Sequence, residues 1–393
     1  MTTTSATAGA DVHSPAERKA RNASLDRART FLTLVVLLHH SVIPYTHFGH
    51  TDPTSWIGFD MIVLANDSFF MAMFFFLSGL FVWPGLGRKA PLAFVRDRLL
   101  RLGLPFAIAS TTLIPIAYYA LALQQTPDLS FPAFWWKTVT VGPWPSGPIW
   151  FVWVLLAFDL IAVVLYQISP TLLVPINRIS RLGFSQPQQF WIFFAVVTGI
   201  AYIPLLIHYG VNRWFEFGPF SVQASRVLLY AAYFFIGAGV GSTSLYAGVL
   251  SADGRLPKSR WIWLAVTLIP YALMWCMIYI KHEILNNPPV QPWWYHLFYG
   301  TFFVLFSASI LFTILAFFLN SKSPGPNLLD RMQGESYGMF LVHYPIVLWI
   351  QYFLFDRDLP AIAKAAIAFV ATVILSWAAT AALRKIPGAK RVL

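Results

Sequence analysis

Arg29 and His40 stand eleven residues apart in the apolar run Leu25 to His40, LDRARTFLTLVVLLHH. At about 100° per residue that is three helical turns with roughly 20° left over, across a rise of roughly 16 Å, so both side chains face one way at different depths. His39 points about 80° away from Arg29, which makes His40 the histidine able to work with the arginine. Asp26, three residues before Arg29, can pair with the guanidinium and hold it in place. The chemistry on offer is anion binding at one end and proton exchange three turns deeper. The plainer alternative makes Arg29 a basic anchor and the histidines polar residues near an interface, but ionisable groups well inside an apolar span are costly and functional by default.

A second apolar run, NDSFFMAMFFFLSGLF, repeats the spacing: Asp67 and Ser78 are again eleven apart and share a face. Running opposite to the first, it brings Asp67 to a depth like that of His40. There it can orient or charge the imidazole, hold an acceptor hydroxyl, or simply be solvated in an outer mouth. In FVRDRLLRLGLPF, Arg96, Arg98 and Arg101 precede Pro105. Such a cluster beside Arg29 suits an anion bearing several phosphates, since arginine grips phosphate with two parallel hydrogen bonds. Asp159 and His343 are further ionisable groups in apolar runs, and His343 can equally be a satisfied core histidine. Pro345 just after it suggests a kink that opens a pocket. No metal site is expected. Cys276, the single cysteine, cannot form an internal disulfide and reads as a small buried hydrophobe within its span.

The elements that must position these groups follow from composition. Of 393 residues 58% are hydrophobic and 11% charged, which excludes an ordinary soluble domain. A helix crosses a bilayer with about 20 apolar residues, because hydrocarbon offers the backbone no other partners. Ten spans are expected, near 28–46, 60–82, 102–123, 148–168, 190–208, 226–247, 261–280, 297–319, 337–354 and 361–383. The expected architecture is an all-α polytopic bundle over 25–385, between a disordered tail at 1–24 and a C-terminal tail at 386–393. With ten spans and both termini cytoplasmic, 21 of the 27 Lys and Arg fall on the inner side. That bias accounts for the net charge of +11 without any nucleic acid. Two Trp- and Pro-rich outer segments, Ser130 to Trp150 and Asn286 to His296, read as an interfacial aromatic belt or as walls for a sugar or lipid acceptor.

Together the pieces resemble the membrane-bound acyltransferase-3 family, which includes bacterial O-antigen acetylases and periplasmic-glucan succinyltransferases. The likeness is carried, in order, by Arg29 followed by ten residues and then His40, FFFLSGLF (Phe74 to Phe81), Arg98 and Arg101 ahead of Pro105, IWFVWVLL (Ile149 to Leu156) and SYGMFLVHYP (Ser336 to Pro345). Met71-Ala72-Met73 before the phenylalanines is closest to the glucan-succinyltransferase branch. The resemblance implies transfer of succinyl or acetyl from cytoplasmic acyl-CoA to a hydroxyl of a periplasmic glucan or surface polysaccharide, across a bacterial inner membrane. It implies an essential His40 and Arg29 on the acyl-CoA; joined to the helix geometry this gives His40 as general base, Asp67 at its depth, and Arg98, Arg101 and Ser78 as further acyl-CoA contacts. Trp150, Tyr337 and His343 become pocket residues, and Ser78, Trp150 and Tyr337 candidate oxyanion donors. Acyl-CoA is then a co-substrate, and no other cofactor is expected. The scheme requires a continuous cavity joining Arg29 to His40. The competing class is a transporter or flippase of a glycan or lipid precursor, which would show internal repeats and paired broken helices that this chain lacks.

Overall fold

The computed structural model describes residues 15–49, 51–145, 147–242, 244–321 and 326–393, with the backbone alone for 15–22. All ten expected spans are helical: α1 Pro15–Val42, α2 Ile57–Gly79, α3 Pro91–Gln125, α4 Trp150–Ile168, α5 Pro187–Tyr209, α6 Val227–Gly241, α7 Arg260–Tyr279, α8 Trp293–Asn320, α9 Ser336–Leu354 and α10 Ala361–Leu383. The protein is an all-α polytopic membrane protein. Eight of the ten helices are long and apolar enough to cross a bilayer. The other two are α1, charged through its middle by Asp26, Arg27 and Arg29, and α6, whose 15 residues reach only about 22 Å against a hydrocarbon core of about 30 Å.

Other boundaries differ from expectation. The segment expected to be unstructured to residue 24 enters α1 at Pro15, and 1–14 lie outside the described residues. The third span starts eleven residues early, at Pro91, so Arg96, Arg98 and Arg101 ride on a helix rather than before one. That helix is interrupted by π-turns at Leu99–Gly103 and Ala109–Leu113. Each lies just before a proline, Pro105 or Pro115, which breaks the regular ladder. Between α5 and α6 a short hairpin forms, Trp214–Phe217 with Phe220–Gln223, which the hydropathy pattern does not announce.

At the centre lie α2 and α8, each mostly buried, while α5, α7 and α10 present Ile192, Val196 and Ile200, Leu268 and Ile269, and Val370 and Ile374 outward. Cys276 belongs to this outer surface: it sits in α7 as expected but is exposed, because most of α7 faces away from the bundle. Helix association in lipid depends on close packing, and small residues allow it. A Cβ at Gly237 would stand 2.3 Å from the Phe76 carbonyl oxygen, and one at Gly241 only 1.9 Å from that of Leu80, so α6 lies directly on the backbone of α2. Gly241→Val is therefore expected to lower stability by about 1–3 kcal/mol or more. Thermal unfolding in detergent checks this, with Gly199→Ala as the unaffected control, since its new methyl meets nothing nearer than 3.8 Å.

Candidate active site

At the end of the bundle where α1 begins, a cavity of about 330 Å³ opens between α1, α2, α3, α4 and α9. Arg29, Arg98 and Arg101 line it together, with Ser78 and Tyr337. Three segments distant in sequence thus meet as expected. Arg29 is held by Asp26 at 3.6 Å, donates to the Leu77 carbonyl at 3.0 Å and lies 4.3 Å over the Phe81 ring. Arg98 stands 3.2 Å from the buried carboxylate of Asp159, an ion pair whose angles do not make a hydrogen bond. Arg96 points outward and is exposed. Two more cations arrive from the last residues: Lys390 and Arg391, expected in a free tail, fold back through the turn Ala389–Arg391 and line the same cavity. Five positive side chains therefore surround one space, and the acids beside it, Asp26 and Asp159, are both paired.

Prolines free carbonyls at the working positions, and α9 answers two of them. Pro105 has no N–H for the Arg101 carbonyl, which instead accepts from the Tyr337 hydroxyl at 2.7 Å. The Tyr337 hydroxyl is thereby committed to the backbone, which removes it as an oxyanion donor. Pro44 likewise leaves the His40 carbonyl open, and the Gln351 amide donates to it at 2.8 Å. The sequence reading missed Gln351, whose only local signal is a polar residue in an apolar helix.

The expected continuity fails at the deeper limit of the cavity. Phe74, Phe151 and Phe340 pack as a triangle with ring centroids 5.7–6.3 Å apart, and the lining stops there. His40 lies beyond this aromatic layer, half-buried and outside the cavity lining. Its Nδ1 is 2.9 Å from the Val36 carbonyl and 3.2 Å from Nε2 of His343, and Tyr344 meets its ring edge-on at 5.1 Å. His343 is fully buried, with its Nδ1 2.6 Å from the Phe340 carbonyl. The groove beside Pro345 is apolar, lined by Ile346, Trp349 and Phe353, and has no histidine in its walls.

Two further expectations are corrected. Asp67 does not orient or charge His40: its carboxylate pairs with Arg226 at 2.6 Å, and Arg226 also donates to the Asp67 carbonyl at 2.8 Å. Arg226 is buried with its guanidinium 5.0 Å over the Phe303 ring, and a buried cation draws the nearest carboxylate to itself. The other face of Asp67 stays open, its side chain 47% exposed. Trp150 lies outside the cavity lining, buried under the hairpin between Tyr230 at 5.3 Å and Trp214 at 5.9 Å.

The relative height of α1 and α9 is fixed outside the membrane-spanning parts. Arg27 grips Asp330 with two hydrogen bonds, 2.6 and 2.8 Å, and Asn327 and Asp330 cap the short helix Leu328–Met332 that precedes α9. Thirteen residues further along both parallel helices, His40 meets His343. The Arg27 guanidinium, helped by the Asn327 N–H, holds the Asp330 carboxyl below the usual range. A lowered folded-state value means that the stabilisation is complete above the unfolded value of about 4 and fades as pH falls through the folded one. Asp330→Asn should thus lower the unfolding midpoint at pH 7, with the gap to wild type closing below about pH 4. Parallel melting curves across that range check it.

Among the described residues no three His, Cys, Asp or Glu gather to hold a metal ion. The chain matches no curated protein and no solved structure. Residues 22–381 match the family model described as an acyltransferase domain, nearly the whole length, and the five-cation cavity and intramembrane histidine pair fall within or beside that stretch. The chain belongs to the acyltransferase-3 family and is a membrane acyltransferase.

Proposed function

We propose that the protein moves an acyl group from a coenzyme A thioester to a hydroxyl of a carbohydrate, with His40 as general base. The observation that carries this reading is the convergence of Arg29, Arg98, Arg101, Lys390 and Arg391 on one cavity, with His40 three helical turns beyond Arg29 on the same face of α1. A ligand with several phosphates suits such a site, and a pantetheine arm has about the reach that separates Arg29 from His40, roughly 16 Å. The thioester comes to His40 when the rings of Phe74, Phe151 and Phe340 part around the arm. This aromatic layer keeps the two sides of the membrane separate while no donor is bound.

At the histidine, the acceptor hydroxyl gives its proton to the imidazole as its oxygen attacks the thioester carbonyl carbon. The new C–O bond forms, the tetrahedral intermediate collapses with cleavage of the C–S bond, and the thiolate leaves with the proton from the imidazolium. Ser78 opens on the cavity at the level of Arg29, about 16 Å along α2 from the depth of Asp67 and His40, so it faces the phosphate end of the donor rather than the thioester carbonyl. The positive bias supports a cytoplasmic arginine-rich end, and with ten spans both termini on that side. The acceptor then reaches His40 from the periplasmic side of a bacterial inner membrane, past Asp67. Succinyl to a periplasmic glucan is the first pairing and acetyl to a surface polysaccharide the second.

Purified protein mixed with succinyl-CoA or acetyl-CoA and a glucan or polysaccharide acceptor should release free thiol in proportion to ester formed. A transporter would release none, and that result would overturn the assignment.

A further inference from the structure

We infer that His343 is a positioning residue that sets the tautomer of His40 and steadies the imidazolium formed during transfer; this rests on His40 being the base. The argument starts from carbonyls, which only accept. Nδ1 of His343 lies 2.6 Å from the Phe340 carbonyl, so Nδ1 of His343 carries its proton. In a neutral ring the other nitrogen, Nε2, then holds the lone pair. That lone pair faces Nδ1 of His40 at 3.2 Å, and the Val36 carbonyl faces the same atom at 2.9 Å. Two acceptors converge on one nitrogen, so Nδ1 of His40 is the protonated one and Nε2 carries the basic lone pair. The opposite tautomer would set a lone pair of His40 against both acceptors.

The arrangement also acts during the reaction. When Nε2 takes the acceptor proton, the Nδ1–H becomes part of a cation and its bond to Nε2 of His343 strengthens, as hydrogen bonds from charged donors do. The contribution is therefore larger in the transition state than in the resting enzyme, and it belongs to kcat rather than to donor binding. Burial of His343 without exposed surface keeps water from replacing it. The two-point grip of Asp330 on Arg27 and the Gln351 bond to the His40 carbonyl hold the two helices at the height this contact needs.

The test has a spectroscopic and a kinetic arm. In the full-length protein labelled with nitrogen-15 histidine and assigned by His40→Gln, the His40 signals should show a protonated Nδ1 and an unprotonated Nε2. His343→Phe keeps a ring but offers no acceptor; kcat for thiol release should fall about 10- to 100-fold with the KM for acyl-CoA unchanged. His343→Gln sets an amide oxygen near the lost acceptor and should recover most of that fall, which a role in packing alone would not give. A protonated Nε2 on His40 in the wild type overturns the inference, as does a glutamine variant as slow as the phenylalanine one. If instead His40→Ala released thiol at the wild-type rate, the general-base reading would fail while the spectrum still reported the tautomer.

Discussion

His40→Ala is expected to lower kcat for acyl transfer by about 10²- to 10⁴-fold, the usual worth of a positioned proton acceptor. Binding of the donor should hardly change, because in the proposed scheme its phosphates would lie with Arg29, roughly 16 Å away along α1. The fold should also survive: His40 is half-buried, and its backbone carbonyl, which Gln351 holds, remains. Thiol release measured against acyl-CoA concentration separates the two parameters. Arg29→Ala should show the reverse pattern, a raised KM that climbs less steeply with salt than the wild-type value, because one screened charge on the donor is gone. A His40→Ala enzyme with unchanged kcat would leave the proton without a destination.

Lys364→Met should cost about 3–5 kcal/mol of stability, the largest loss expected for any single substitution considered. Lys364 is 1% exposed and its ammonium reaches both oxygens of Asp52, at 3.0 and 3.1 Å, and the Phe355 carbonyl at 3.0 Å. Removing the lysine leaves a carboxylate buried with no cation, whereas keeping the pair ties the loop after α1 to the start of α10. Part of the loss should return in the double variant Asp52→Asn with Lys364→Met, since no charge is then stranded, and Asn can still accept from Thr54. Unfolding midpoints of the two single variants and the double variant form the cycle. Additive losses would contradict the pairing.

Neither effect is evenly readable from the chain. The eleven-residue interval of Arg29 and His40 is a local property of one helix, and local geometry is written in residue order. The same holds for the apolar runs, whose length reports on the bilayer, and for the prolines that free the His40 and Arg101 carbonyls. The partners of those carbonyls are another matter: Tyr337 and Gln351 come from α9, more than 200 residues away. Asp67 shows the limit most clearly. Its face on α2 follows from spacing, yet its partner is Arg226 rather than His40, because the glycines of α6 let that helix settle on the α2 backbone and bring the guanidinium within reach.

By itself the sequence determined an integral membrane bundle, its ten helical segments, the acyltransferase likeness and the shared face of Arg29 and His40, all consequences of periodicity and hydropathy along a single strand of residues. Only the tertiary structure decided that Lys390 and Arg391 join the cavity, that three phenylalanines close it before His40, and that His343 stands against the imidazole. Those are contacts between helices, and inside a membrane they are chosen by close packing and by the need of each buried polar group for a partner, neither of which is ordered by distance along the chain.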